Sequence, residues 1–268
     1  MINDNIYKCM NIVMINKCDK QCPYCDFPSI EEDKQGSITI NQMDYIEEYL
    51  YYIAKRNSET DKNRQMVILG GELGLLDDNI LYELLNISNN IVEKYGFSSL
   101  IWMTNGLLFK AHPFIYHKHL FEIEYHILDD NLDNFSFVVD DYITYNVVLT
   151  PYNENKVILL NELFLSNNQK LHVKPVNSLR NSYTDYIASG YNSLSDKYNY
   201  KLFNKYECNK TSPFFAIDFT NNTIFKCCRS YTRFERKPLT YTNLEKAYSG
   251  KLFGKDDICN SCYRLAYY

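Results

Sequence analysis

Residues 6–25 read Ile6-Tyr7-Lys8-Cys9-Met10-Asn11-Ile12-Val13-Met14-Ile15-Asn16-Lys17-Cys18-Asp19-Lys20-Gln21-Cys22-Pro23-Tyr24-Cys25, an apolar strand candidate over Ile6 to Ile15 that runs into three cysteines spaced CxxxCxxC. Outward from this stretch, apolar runs of strand length alternate with segments of helical period, the pattern of βα units and a parallel sheet. Ile40 to Arg56 sets Met43, Ile46, Leu50 and Ile53 on one helical face, with Asn41 and Asp44 placed like an N-cap and its partner. Gln65 to Leu69 reads as a short buried strand entering Gly70-Gly71. From Asp78, the residues Leu81, Leu84, Leu85, Ile91 and Val92 make a second amphipathic helix that Gly96 closes, and Leu100 to Thr104 is a third strand stopped by Asn105-Gly106. Further strands are expected at Leu120 to Leu128, Asn146 to Thr150 and Leu171 to Val176, with a helix at Asn155 to Leu165 between the last two. Six strands with their helices in about 170 residues suit a partial (β/α)6 barrel, since a full eight-unit barrel takes about 250. The fold class is α/β, and function belongs at the C-terminal ends of the strands.

The 268 residues are 46% hydrophobic and 23% charged, enough apolar material for one large domain or one domain with a small appendage. A net charge of −5 and a pI near 5.6 argue against a protein whose main task is to neutralise nucleic-acid phosphates. No run nears the roughly 18 apolar residues of a membrane span, and the first residues lack a basic and then apolar signal, so a cytoplasmic location is expected. Nine cysteines in a reducing compartment point to metal or redox chemistry instead of disulfides. They fall in two groups, Cys9 to Cys25 and Cys208 to Cys262, with none between, which predicts two thiolate sites. The 25 tyrosines read mainly as amphipathic packing residues. His112, His117 and His119 flank Pro113 in a polar stretch that reads as a surface loop.

A loop with three thiolates leaves one iron of a four-iron cluster open to a substrate or cofactor, because such clusters are ordinarily held by four cysteines. The alternative is structural zinc, for which Cys9 would have to be recruited as fourth ligand. Its position inside the strand makes Cys9 a small buried hydrophobe on the simpler reading.

Cys18, Cys22 and Cys25, with Tyr24 at the aromatic position, resemble the CxxxCx(aromatic)C signature of the radical S-adenosylmethionine (radical SAM) enzymes. The resemblance implies a [4Fe–4S] cluster on these three cysteines, with S-adenosylmethionine chelated at its open iron. It also implies reductive cleavage to a 5′-deoxyadenosyl radical that abstracts a substrate hydrogen, and an electron donor such as flavodoxin or ferredoxin. Gly70-Gly71-Glu72 is similar to the family's Gly-Gly-Glu segment, whose backbone approaches the methionine moiety and whose carboxylate meets its ammonium. Thr104-Asn105-Gly106 matches the family's Thr-Asn-Gly segment and places Thr104 and Asn105 near the cofactor. Two departures stand out: Leu73 replaces the usual proline, and the ribose-facing pattern of the fourth strand finds no match among Glu122, Glu124, His126, Asp129 and Asp130.

In the second group, Cys208, Cys227, Cys259 and Cys262 give four thiolates, enough to close a cluster, or to hold structural zinc. Phe214 to Phe219 and Thr223 to Lys226 flank Thr220-Asn221-Asn222 as a β-hairpin, and Thr242 with Glu245 makes a capping-box spacing ahead of a short helix. This arrangement resembles the SPASM extension of radical SAM enzymes and its shortened form, twitch, which implies an auxiliary [4Fe–4S] cluster. Three plus four ligands leave Cys9 and Cys228, too few for a third cluster, so the twitch-like form fits, with Cys227 preferred to Cys228 as ligand. The expected division is a radical SAM partial barrel over 1–180 and an auxiliary unit over 181–268, since the composition turns polar and Tyr-rich near Arg180.

The resemblance implies modification of a peptide or protein, with oxidation or rearrangement of a small molecule (a sugar, aminocyclitol or nucleotide) as the alternative. With only a short stretch ahead of the first strand, no N-terminal peptide-recognition domain is expected, which narrows the gap between the two. A reading of another class is a non-enzymatic zinc-binding interaction module. Neither a membrane nor a nucleic-acid partner is expected.

Overall fold

The computed structural model describes residues 8–22, 25, 27, 30, 32–60, 66–96, 100–132, 135–137, 140–150, 153–175, 214–226 and 235–253. Cys9, Ile12, Val13, Met14 and Ile15 are all buried along strand β1 (Lys8–Ile15). A strand buried on both faces needs neighbours on both edges, and β1 has them. It pairs in parallel with β2 (Met66–Gly70), with Ile12 opposite Ile68, and on its other edge with β7 (Phe214–Asp218), with Ile12 opposite Ile217.

Two compact units are distinguished, one of Met1–His126, Phe137–Thr144 and Pro213–Phe253, the other of Ile127–Ser136, Tyr145–Ser212 and Gly254–Tyr268. In the first, β3 (Leu100–Thr104) and β4 (Glu122–Ile127) continue the parallel sheet beyond β2, while β8 (Thr223–Phe225) and β9 (Arg236–Pro238) continue antiparallel beyond β7. The hairpin expected at 214–226 thus exists, but it extends the main sheet at the edge of β1. The physical reason is that a two-stranded hairpin is marginal alone, and Phe215, Ala216 and Ile217 are buried by the sheet they join. In the second unit, β5 (Ile143–Leu149) pairs in parallel with β6 (Leu171–Pro175), joined by α4 (Glu154–Ser166), which buries Val157, Leu160 and Phe164. Parallel strands alternating with helices fit the expected partial barrel.

The helices follow the apolar stripes. Helix α1 (Met43–Thr60) buries Met43, Ile46, Leu50 and Ile53, α2 (Asp78–Tyr95) buries Leu81, Leu84, Leu85, Ile91 and Val92, and the short α3 (Leu107–Ala111) buries Leu108 and Phe109. Gly96 ends α2 at φ 98°, its N–H donating to Val92 O at 2.7 Å. Two caps differ from expectation. Ahead of α1 the capping residue is Thr39 in place of Asn41, with Gln42 Oε1 accepting from Thr39 N at 2.8 Å. Ahead of α5 (Tyr241–Tyr248) it is Thr240 in place of Thr242, because Thr240 has the extended backbone a cap needs and its hydroxyl accepts from Asn243 N at 3.2 Å.

The histidine stretch is also corrected. His112 and His119 are buried, each with one ring nitrogen against a carboxylate and the other against a carbonyl: Asp78 and Gly74 O for His112, Asp140 and Phe121 O for His119. His117 alone of the three is exposed. A polar residue enters a core when every polar atom finds a partner there, and these do. Among the described residues, no helix is long and apolar enough to cross a membrane. The expected boundary near 180 falls at residues outside those described.

Candidate functional site

Three turns, after β1, β2 and β3, meet at one end of the parallel sheet. The β2 turn is laced to the β1 exit by backbone bonds, Gly71 N to Ile15 O at 2.8 Å and Glu72 N to Lys17 O at 3.0 Å. The glycines make that approach possible, since a Cβ on Gly70 would overlap Ile15 O and one on Gly71 would overlap Lys17 O.

Glu72 is buried behind this seam. Its Oε1 accepts from Gly74 N at 2.8 Å and from Thr104 Oγ1 at 2.7 Å, and its Oε2 from Asn105 N at 2.6 Å. Burial raises the carboxyl pKa above its ordinary value, against the lowering by Asn105 N–H, Gly74 N–H and the Thr104 hydroxyl. A carboxylate offers about four acceptor positions, and this one spends three on its own chain.

The β3 turn completes the joint. Gly106 takes φ 100°, and a Cβ there would run into the Tyr125 ring of β4, so both backbone and space require glycine. Asn105 Nδ2 donates to Asp19 Oδ1 at 2.8 Å and lies 3.9 Å from Cys18 Sγ, while its Oδ1 accepts from Leu107 N at 3.1 Å. The Thr-Asn-Gly turn therefore touches the cysteine loop directly.

Cys18, Cys22 and Cys25 are partly buried, on a loop turned by Cys25 N donating to Cys22 O at 3.1 Å. Burial pushes the Cys18 thiol up to about 12, assisted by the charges of Asp19, Glu72 and Cys25 and opposed by the N–H of Lys20. Among the described residues, no three His, Cys, Asp or Glu side chains stand gathered as a ready metal site. The donor set itself fits an iron–sulfur centre: soft thiols, a short loop, and a bound cation's charge to favour the thiolate that burial disfavours.

Other expected residues stand as follows. Cys9 is fully buried and its pKa raised by burial, the small hydrophobe expected. Tyr24, Cys208, Cys227, Cys228, Cys259 and Cys262 lie outside the described residues. In the fourth strand Glu122 Oε1 accepts from Thr144 Oγ1 at 2.8 Å, and Glu124 pairs with His126 at 3.3 Å. In the second unit, Asp129 accepts from Asn153 Nδ2 at 2.6 Å. Sequence reasoning missed Asp19, the anchor of Asn105, and Tyr125, which covers Gly106. Asp19 sits inside the CxxxC spacer, where any polar residue is unremarkable.

No family model matches the sequence, and no curated protein matches it either. Among solved structures, the chain is similar to BtrN, crystallised in complex with AdoMet and 2-DOIA, at a TM-score of 0.48 and 10% identity over 96% of this chain and 86% of that chain.

Proposed function

We propose that the chain is a radical SAM enzyme whose cysteine loop after β1 holds a [4Fe–4S] cluster on Cys18, Cys22 and Cys25. The observation that carries this reading is the joint just described, in which the cysteine loop, the Gly-Gly-Glu turn and the Thr-Asn-Gly turn are tied together at one end of a parallel sheet. When bound, the cluster and S-adenosylmethionine supply one-electron cleavage to a 5′-deoxyadenosyl radical that abstracts a substrate hydrogen. Gly70 and Gly71 let the β1 exit pack its backbone directly against the β2 turn, which fixes where the cysteine loop begins. Glu72 holds the second and third turns in register by its three bonds. A rigid frame of this kind spares the protein reorganisation at the moment of reaction.

The finer reading adds an auxiliary [4Fe–4S] cluster on Cys208, Cys227, Cys259 and Cys262 in a twitch-like unit, supported by the cysteine spacing, and a peptide or protein as substrate, supported by the resemblance to SPASM and twitch enzymes. A small-molecule substrate is the alternative.

The test is anaerobic reconstitution with iron and sulfide, metal analysis, and incubation with S-adenosylmethionine and a strong reductant. About eight irons per chain are expected for two four-iron clusters, together with 5′-deoxyadenosine. Replacing Cys18, Cys22 and Cys25 by Ala abolishes the nucleoside, and Cys259→Ala removes about half of the iron. A colourless protein carrying zinc and making no 5′-deoxyadenosine sinks the proposal and favours the zinc module.

A further inference from the structure

We propose that Asn105 is a positioning residue for the first thiolate, whose side-chain amide donates to Cys18 Sγ and thereby sets the orientation of that sulfur and the reduction potential of the centre it ligates. The proposal rests on the iron–sulfur reading above and adds a role for one side chain within it.

The partners of Asn105 leave its amide one orientation. Leu107 N is a donor, so it faces Oδ1, and Asp19 Oδ1 is an acceptor, so it faces Nδ2. The backbone N–H of Asn105 is held by the buried Glu72 carboxylate at 2.6 Å, so the main chain is fixed as well. With one Nδ2 hydrogen on Asp19, the second is left for the sulfur at 3.9 Å. Lys20 N approaches the same sulfur at 3.5 Å, and Asp19 Oδ1 lies 3.8 Å from it. A thiolate at that place would face the Asp19 carboxylate with like charge. The Asn105 amide engages both, giving the carboxylate one N–H and the sulfur the other. Hydrogen bonds to ligating sulfurs stabilise the more negative, reduced state and raise the potential. Asn105 acts through Cys18, with no contact to a substrate assigned to it.

The experiment compares wild type with Asn105→Ala in the reconstituted full chain and in the metal-free full chain. At a fixed applied potential, Asn105→Ala is expected to lower the reduced-to-oxidised ratio of the loop cluster about tenfold, equivalent to 59 mV for one electron. In the metal-free chain, the 15N-labelled side-chain amide signals of Asn105 are expected to move in both Cys18→Ala and Asp19→Ala. An unchanged ratio in Asn105→Ala, or amide signals indifferent to Cys18→Ala, overturns the proposal. Should Asn105→Ala not retain iron, the near-isosteric Asn105→Leu, which removes the donor without adding charge, must show the same fall, and a wild-type ratio there overturns the proposal. If the wild-type chain takes up no iron, the iron–sulfur reading fails, and the amide signals alone decide whether Asn105 positions Cys18.

Discussion

The joint of three turns at the sheet end and the seam between α1 and α5 are held together by different physics. At the joint, backbone approaches backbone across Gly70 and Gly71, and a buried carboxylate accepts three short bonds. At the seam, rings and flexible charged chains meet: Tyr49 stacks on Tyr241 with centroids 4.6 Å apart, Tyr52 bonds Glu245, and Arg56 reaches Glu245 at 3.1 Å. Backbone contact and buried hydrogen bonds are short-ranged and directional, so they tolerate little. Ring stacking and exposed ionic contacts yield gradually. The strict geometry lies where three turns meet the cysteine loop and the tolerant geometry where two helices need only to stay together.

Substitutions break that contrast in decreasing order. Gly71→Ala should cost about 3 kcal/mol, because its methyl meets the Lys17 carbonyl and backbone must shift. Chemical denaturation reads this directly, and a near-neutral result would mean the seam of the two turns is loose. Glu72→Gln should cost about 2 kcal/mol, since an amide cannot accept from all three donors and one buried N–H or O–H loses its partner. Tyr248→Phe tests the inner side of the other region, where the Tyr248 hydroxyl donates to Asn57 Oδ1 at 3.1 Å, and should cost about 1 kcal/mol.

Tyr248 also carries a pH signature. Burial first, with the charge of Cys9, holds its hydroxyl pKa well above the ordinary value, against the lowering by Arg56. The raised group contributes stability that is whole below the unfolded tyrosine pKa of about 10 and declines above it as the unfolded chain ionises. Urea midpoints from pH 8 to 11 should therefore fall less steeply in Tyr248→Phe than in wild type. Thr240→Ala, removing the α5 cap, should lower stability by about 1 kcal/mol in the same assay. The smallest effect, about 0.5 kcal/mol and diminished by salt, is expected for Glu245→Gln at the exposed ion pair.

Much of the fold was legible because it is written locally. The stripe of Leu81, Leu84, Leu85, Ile91 and Val92 and the closing Gly96 specify α2, and Leu100 to Thr104 matches β3 residue for residue. Strand β5 begins three residues earlier than read from Asn146, because Ile143 and Tyr145 are buried and continue the alternation. Local text cannot show which distant strands pair. Phe214 to Phe219 reads as half of a hairpin, and only the tertiary structure puts β7 beside β1. At the site, the spacing of Cys18, Cys22 and Cys25 and the paired glycines were plain. The three donors on Glu72 were not, because two come from Thr104 and Asn105, more than thirty residues away. The caps were misplaced by two residues for a similar reason, since several Thr and Asn stand near each helix start and only backbone conformation selects among them.

The pairing of β1 with β7 bears on how the chain is made. The two edges of β1 are completed by segments about 55 and 205 residues further along, and such long separations slow folding. On the ribosome, β1 and β2 emerge and meet early, while the far edge of β1 stays open until Phe214–Asp218 has been synthesised. For most of translation the strand that leads into the cysteine loop is thus an apolar sheet margin with unpaired N–H and C=O groups, the kind of margin on which other chains add. A nascent chain stopped before residue 214 should for that reason be prone to aggregate and to depend on chaperones, and synthesis through Asp218 should relieve it.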